Sequence, residues 1–514
     1  MFFLDLTITF LTGLVLVSRL RILPFSAERC ALAVLIGAGV KSLVIFTFIL
    51  FKFQPVLALQ IPVSIALLTG AFFLFKPGPA VAEANLAPLD QVGFSWAKII
   101  APVVLFALFC LSIIMALEAP VTEADGIWYH IKGMAYFHSA DLNSQAVTVQ
   151  MRQYPPFVSL IFCYLISGGI DSVKLLFPVI FSCMLISFYY RAKAYTCNGE
   201  LASLFTLALG TTPYLWWHSS LPFLDLTVGV YYGMASIYSF FIIDELKGPG
   251  KNDRQLGKIK SWAILSGAMF GLAGWTRWEY LIYDAAPVAL LFYVLNGLTD
   301  LPLNKKKVIF SSFCLPLLVL PTLWCFIILA IGSPEYSKTL EVMMVCLMLW
   351  AFYAWVIFNK KDGLRITAKD LALAGLYGTL IFMSFALMRG LDNLFYNGSV
   401  ALFRLIVGPL FFAFTPVLAI LFFFKKQTLS FEAKFLGGIL LGFVVLHLGV
   451  FTYADLKWGA WQEYVRATFF NPGSSINLSD VRGMIAFYPA FVFFTAILPG
   501  VRQSFSIRRE IPCP

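Results

Sequence analysis

Runs of close to twenty apolar residues, each closed by a short polar or basic break, recur from one end of the chain to the other. That is the length a helix needs to cross ~30 Å of hydrocarbon. The pattern predicts helical spans at 2–18, 31–51, 55–75, 98–117, 172–190, 201–217, 222–243, 261–277, 281–298, 308–331, 340–358, 371–389, 400–424, 431–452 and 484–500, about fifteen in all. One long polar interval interrupts them, Glu118 to Pro156, and a short apolar run, 156–170, follows it.

The basic residues orient the spans. Arg19, Arg21, Arg29, Lys76, Arg191, Lys193, the run Lys247–Lys260, Lys305–Lys307, Lys360–Lys369, Lys425, Lys426 and Arg502–Arg509 all fall on one side, which the positive-inside rule makes cytoplasmic. If 156–170 crossed the membrane, every later basic loop would invert. It is therefore expected as an interfacial helix, and 118–171 as one external element. The loops 217–221, 332–339, 390–399 and 453–483 share that outer side. The aspartate near the start and the arginines after the first run argue against a cleaved signal peptide there. Lys41, within the second run, is expected to snorkel.

Composition narrows the classes. With 60% apolar and 12% charged residues, the 514-residue chain is far from a soluble domain. The net charge of +10 is dispersed through short loops, which fits membrane lipids and no nucleic acid. The nine cysteines form no metal or disulfide spacing.

Candidate chemistry gathers in the outer loops. Asp125, in Thr122-Glu123-Ala124-Asp125-Gly126-Ile127-Trp128-Tyr129, is placed as a general base partly desolvated by Trp128 and Tyr129, with Glu123 as fallback; the plainer reading is a solvated loop carboxylate. A divalent metal ion could be held by Asp125 with His130, His138 or His218, although these histidines lack the four-residue spacing of a helical ligand pair. Lys132 and Arg152 could meet a phosphate or anchor the loop at headgroups. Asp225, just inside a span, is a functional candidate or a carboxylate favoured by a helix N-terminus. Arg277 and Glu279, bracketed by Trp275 and Trp278, offer a guanidinium for a phosphate, or a loop ion pair within an aromatic belt. Arg389 and Arg404 are further outer-edge arginines, and Trp458, Trp461, Tyr464 and Arg466 suit an interfacial helix.

These pieces, in this order, resemble the GT-C superfamily of integral membrane glycosyltransferases, most of all the branch of the protein O-mannosyltransferases and lipid A aminoarabinose transferases. Asp125-Gly126-Ile127-Trp128-Tyr129 is similar to the family's Asp-Glu-x-x-Tyr loop motif, with Gly126 where a second acid is usual. Tyr154-Pro155-Pro156 matches the motif that opens the interfacial helix, and Pro222-Phe223-Leu224-Asp225 the start of a later span. Gly271-Leu272-Ala273-Gly274-Trp275-Thr276-Arg277-Trp278-Glu279 matches the Gly-rich span end, with arginine for lysine.

The resemblance implies an all-α polytopic membrane protein with a GT-C-like helical bundle. It implies a polyprenyl-phosphate-linked sugar as donor and a glycan, lipid or protein as acceptor. In that scheme Asp125 is the base, and Arg277 stabilises the lipid phosphate with help from Arg152, Lys132 or Arg404. Tyr129, Trp128, Tyr154, His218, Asp225 and Glu279 line the substrates. The expected organisation is accessory spans at 1–97, a catalytic core at 98–331 and variable spans at 332–514. The expected setting is a bacterial inner membrane with the site facing the periplasm. A lipid-sugar or solute transporter, and a polysaccharide polymerase or ligase of another membrane fold, are the competing readings.

Overall fold

A computed structural model describes residues 1–23, 27–74, 96–247, 253–298, 300–331, 337–358, 429–453 and 483–506. The expected spans at 371–389 and 400–424, Arg389, Arg404 and the four aromatic-loop residues from Trp458 to Arg466 lie outside the described residues.

The described residues are helical with no strand, and seven of their helices are long and apolar enough to cross a membrane. The chain is an all-α polytopic membrane protein. The first helices are α1 (Phe2–Leu20), α2 (Ala27–Leu50), α3 (Leu57–Leu74) and α4 (Trp96–Glu118). The polar interval then folds into α5 (Ala124–Ser139) and α6 (Val149–Gln153), and the short apolar run into α7 (Phe157–Ser167). At eleven residues α7 is about 16 Å long, too short to span. Next come α8 (Leu176–Thr196), α9 (Gly199–Gly210), α10 (Pro213–His218), α11 (Leu224–Lys247), α12 (Asp253–Thr276), α13 (Tyr280–Gly297), α14 (Leu303–Ile331) and α15 (Ser337–Phe358). Beyond the undescribed stretch follow α16 (Phe431–Tyr453), α17 (Tyr488–Ile497) and α18 (Pro499–Ser506).

Two expected spans are broken rather than continuous. The run 201–217 splits into α9 and α10, and 484–500 into a 3₁₀ turn, α17 and α18. Proline explains the breaks. Pro213 opens α10, Pro489 lies at the first turn of α17 and Pro499 opens α18. A proline has no N–H to continue the preceding ladder and restricts the residue before it. Hydrophobicity alone cannot report such breaks.

At the centre lies α11, every hydrophobic residue of which is buried from Leu224 to Ile243. The buried polar residues Asp225, Thr227, Ser236 and Ser239 on the same helix mark it as interior to the protein rather than facing lipid. On one side it packs against α12, which in turn packs on α14. The α12–α14 approach is backbone to backbone: a Cβ at Gly271 would lie 2.2 Å from the Pro316 carbonyl oxygen. Small residues permit such contact where lipid provides no hydrophobic drive between helices.

The N-terminal spans are woven into this bundle. α2 packs against α7 and α8. Tyr231 of α11 donates to the Leu35 carbonyl at 2.8 Å, and Trp275 Nε1 to Ser42 Oγ at 3.2 Å. Glu28 pairs with Arg191 at 2.6 Å and accepts from Tyr238. Lys41 does not snorkel. It is buried, 2.5 Å from the Asp5 carboxylate, under the Tyr164 ring of α7. The aspartate a turn into α1 supplies the counter-ion that makes burial tolerable.

Candidate active site

Antiparallel packing of α11 on α12 brings the start of one and the end of the other to the same end of the bundle. Asp225 stands in the first turn of α11, Arg277 directly after α12, and Glu279 at the N-cap of α13. Asp125 stands in the first turn of α5. Each charge therefore sits at the helix end whose partial charge favours it: three carboxylates at N-termini and the guanidinium beyond a C-terminus.

Their geometry is tight. Arg277 Nη1 lies 2.6 Å from Asp225 Oδ1, and Arg277 Nε 3.6 Å from Glu279 Oε2. Burial works against the Arg277 charge, but Asp225 and Glu279 outweigh it and hold the guanidinium well above its usual range. Tyr154 sits where its hydroxyl feels Glu279, Arg277, Asp125 and Asp225 together. The Glu279 carboxylate first, then burial, push that hydroxyl up to about 12. Tyr129 is raised too, by burial and then by Tyr154 and Asp125. The Tyr154 ring lies 6.4 Å from Tyr129 and 6.3 Å from Trp278, forming the aromatic wall. Trp275 and Trp278 are buried inside the bundle, not set in a lipid-facing belt.

Asp125, Tyr129, Tyr154, Asp225, Arg277 and Glu279 are thus brought together from four separate stretches of chain. The remaining candidates have other neighbours. Trp128, on the same turn as Tyr129, is half-buried. Glu123 stands at the N-cap position of α5 and reaches Lys174 Nζ at 3.5 Å, an ion pair with a residue not singled out from the sequence. Arg152 binds the Asn143 side-chain oxygen at 2.5 Å. Lys132 is buried and donates to the carbonyls of Met151 and Tyr154 at 2.9 and 2.7 Å. His218 is fully buried, with Nδ1 2.8 Å from the Tyr214 carbonyl and its ring between Tyr214 and Phe223.

A metal does not fit these positions. Among the described residues no three His, Cys, Asp or Glu side chains converge on one point, and His130 and His138 turn to Phe162 and Phe137.

Gly126 now has a physical reason. A Cβ there would lie 2.3 Å from Pro222 Cγ, because the turn before α11 presses on the first turn of α5. The contact sets the first turn of α5 against the turn before α11 and leaves no room for an acid at this position. We expect Gly126→Ala to lower stability by about 1–3 kcal/mol through overpacking against a rigid ring, despite the better helix former. A thermal melt of the purified protein in detergent checks this.

Sequence reasoning missed Trp324, whose Nε1 donates to the Gln153 carbonyl at 2.8 Å, and Tyr280, whose hydroxyl donates to the Gly483 carbonyl at 2.9 Å. It also missed Asp284, fully buried in α13 near Tyr232. A lone aspartate within an apolar run is the signal that could have found it.

Fold and site define a class: a multi-pass helical membrane protein with a charged, aromatic-walled cluster at one end of its bundle. No family model matches the chain, and no curated protein matches it. Among solved structures it matches the archaeal oligosaccharyltransferase AglB from Archaeoglobus fulgidus, in complex with an inhibitory peptide and a dolichol-phosphate. The identity is 12% and the TM-score 0.37; the match covers 82% of this chain and 53% of that one, so this chain spans about half the length of that protein.

Proposed function

We propose that the chain is a GT-C-type glycosyltransferase that moves a sugar from a polyprenyl-phosphate carrier to an acceptor on the outer face of the membrane. The observation that carries this is the convergence of Asp125, Tyr154 and the Asp225–Arg277 pair at one end of the bundle. The charge pattern of the loops makes that end external. A carrier that cannot leave the bilayer requires its reacting phosphate to be met at the membrane edge, and a cluster at the ends of α11 and α12 suits that requirement.

In this reading Asp125 accepts the proton of the acceptor hydroxyl as its oxygen attacks the anomeric carbon. The bond from that carbon to the phosphate oxygen breaks with inversion, and the lipid phosphate leaves with the electron pair. Arg277 receives the developing charge. Its five N–H donors serve two carboxylate contacts and keep capacity for an oxyanion. Asp225 and Glu279 fix the guanidinium before substrate arrives, which removes the need to reorganise it during the reaction. Tyr129, Tyr154 and Trp278 give the sugar faces to stack on.

Purified protein incubated with labelled polyprenyl-phosphate sugars and membrane extract is expected to move label to an acceptor, identified by mass. Solute movement across vesicles with no cleavage of a sugar–phosphate bond would overturn the proposal.

A further inference from the structure

We propose that Lys132 is a positioning residue: its side-chain Nζ, which donates to the Met151 and Tyr154 carbonyls, pins them to α5 and thereby holds the Tyr154 ring against Tyr129 and Trp278, beside Arg277. Lys132 is 1% exposed. Its Nζ donates to Met151 O at 2.9 Å and Tyr154 O at 2.7 Å. It lies 5.8 Å from the Tyr136 ring centre and 5.4 Å from that of Trp324. Trp324 in turn donates to the carbonyl of Gln153, between the two carbonyls that Lys132 holds. Three successive constraints thus fix the corner that Pro155 and Pro156 complete. A fixed corner is what a site needs if one of its aromatic walls stands on a loop.

Among the described residues this cage holds no counter-ion. α5 brings Tyr136, the corner brings the Met151 and Tyr154 carbonyls, and α14 brings Trp324; among the described residues no charged group shifts Lys132, and burial alone lowers it from its ordinary range to about 7. Burial raises Tyr136, and Tyr154 is raised to about 12, so both tyrosines stay neutral while Lys132 titrates. The sign follows from linkage. When the corner opens, Lys132 meets water and regains an ordinary value near ~10.4, so opening takes up a proton. Opening is therefore easiest below about pH 7, and becomes harder as pH rises from there towards ~10. The corner is a latch that acid loosens.

Hydrogen–deuterium exchange of the full-length protein in detergent tests this directly, following amides in 148–154 with intrinsic rates divided out. Wild-type protection is expected to rise with pH between about 7 and 9, by up to about tenfold per unit. Lys132→Met keeps the bulk and removes the charge, and is expected to show no such rise. A flat wild-type profile over that window would overturn the latch, and so would the same rise in Lys132→Met. The wild-type profile decides the matter even if the variant fails to fold.

The kinetic consequence rests on the glycosyl-transfer reading: the pH dependence of donor KM should follow the exchange profile in wild type and vanish in Lys132→Met, with the rise in KM outweighing any change in kcat. A donor KM that ignores the exchange profile would remove Lys132 from the positioning role. Absence of any transfer by wild type would instead sink the glycosyl-transfer reading, while the exchange data still decide the latch.

Discussion

Asp125→Asn is expected to lower sugar transfer by ~10²–10⁴-fold, the range for loss of a general base. Asparagine is nearly isosteric and sits well in a first helical turn, so α5 should still form and the melting temperature should change little. Glu123→Gln is the internal contrast. Glu123 stands at the N-cap of α5 and pairs with Lys174, whose side chain is only 4% exposed, so Glu123→Gln is expected to lower the melting temperature while leaving transfer within a few-fold. Initial rates with a labelled polyprenyl-phosphate sugar, beside thermal melts, read both. An Asp125→Asn protein that transfers at the wild-type rate ends the assignment of the base.

The second large effect falls on Arg277. Its partner Asp225 is only 4% exposed, so Arg277→Met leaves a carboxylate buried without its cation. Breaking such a pair costs about 3–5 kcal/mol, which would lower the melting temperature and abolish transfer together. The double variant Asp225→Asn/Arg277→Met removes both charges and is expected to recover much of the stability and none of the transfer. Recovery of transfer in the double variant would show that the pair is only structural. Arg277→Lys retains the charge but loses the planar fork that addresses Asp225 and Glu279 at once, so it should fall between.

Much of the fold was legible because the bilayer imposes a simple rule. A backbone in hydrocarbon must satisfy its own hydrogen bonds, so apolar runs become helices. The runs at 2–18, 98–117 and 222–243 correspond to α1, α4 and α11 with ends shifted by a few residues. The shortness of 156–170 and the charge rule together marked α7. The broken helices at Pro213 and Pro499 were less legible, since a proline within an apolar run can kink, break or simply be accommodated, and the neighbours decide which. Pro316 and Pro321 remain inside α14.

Within the site, residue types and order singled out Asp125, Tyr154, Asp225 and Arg277, because charges at the edges of apolar runs are rare. Their roles were less accessible. Lys132 and Arg152 read alike in sequence as basic loop residues, yet one is caged between carbonyls and rings and the other tied to Asn143. In sequence Gly126 is only a departure from the motif; the reason for it, Pro222 occupying the space a Cβ would need, lies in the packing of another segment.

The sequence by itself determined the helical class, the membrane setting and the short list of charged residues. Each is a local property: hydropathy over one helix length, and the sign of charge beside it. Only the tertiary structure decided which charges meet. Asp225 and Arg277 are 52 residues apart, and Lys41 and Asp5 lie on different helices. Such pairings depend on helix packing and on where a Gly271 lets two backbones touch, and no window along the chain carries that information.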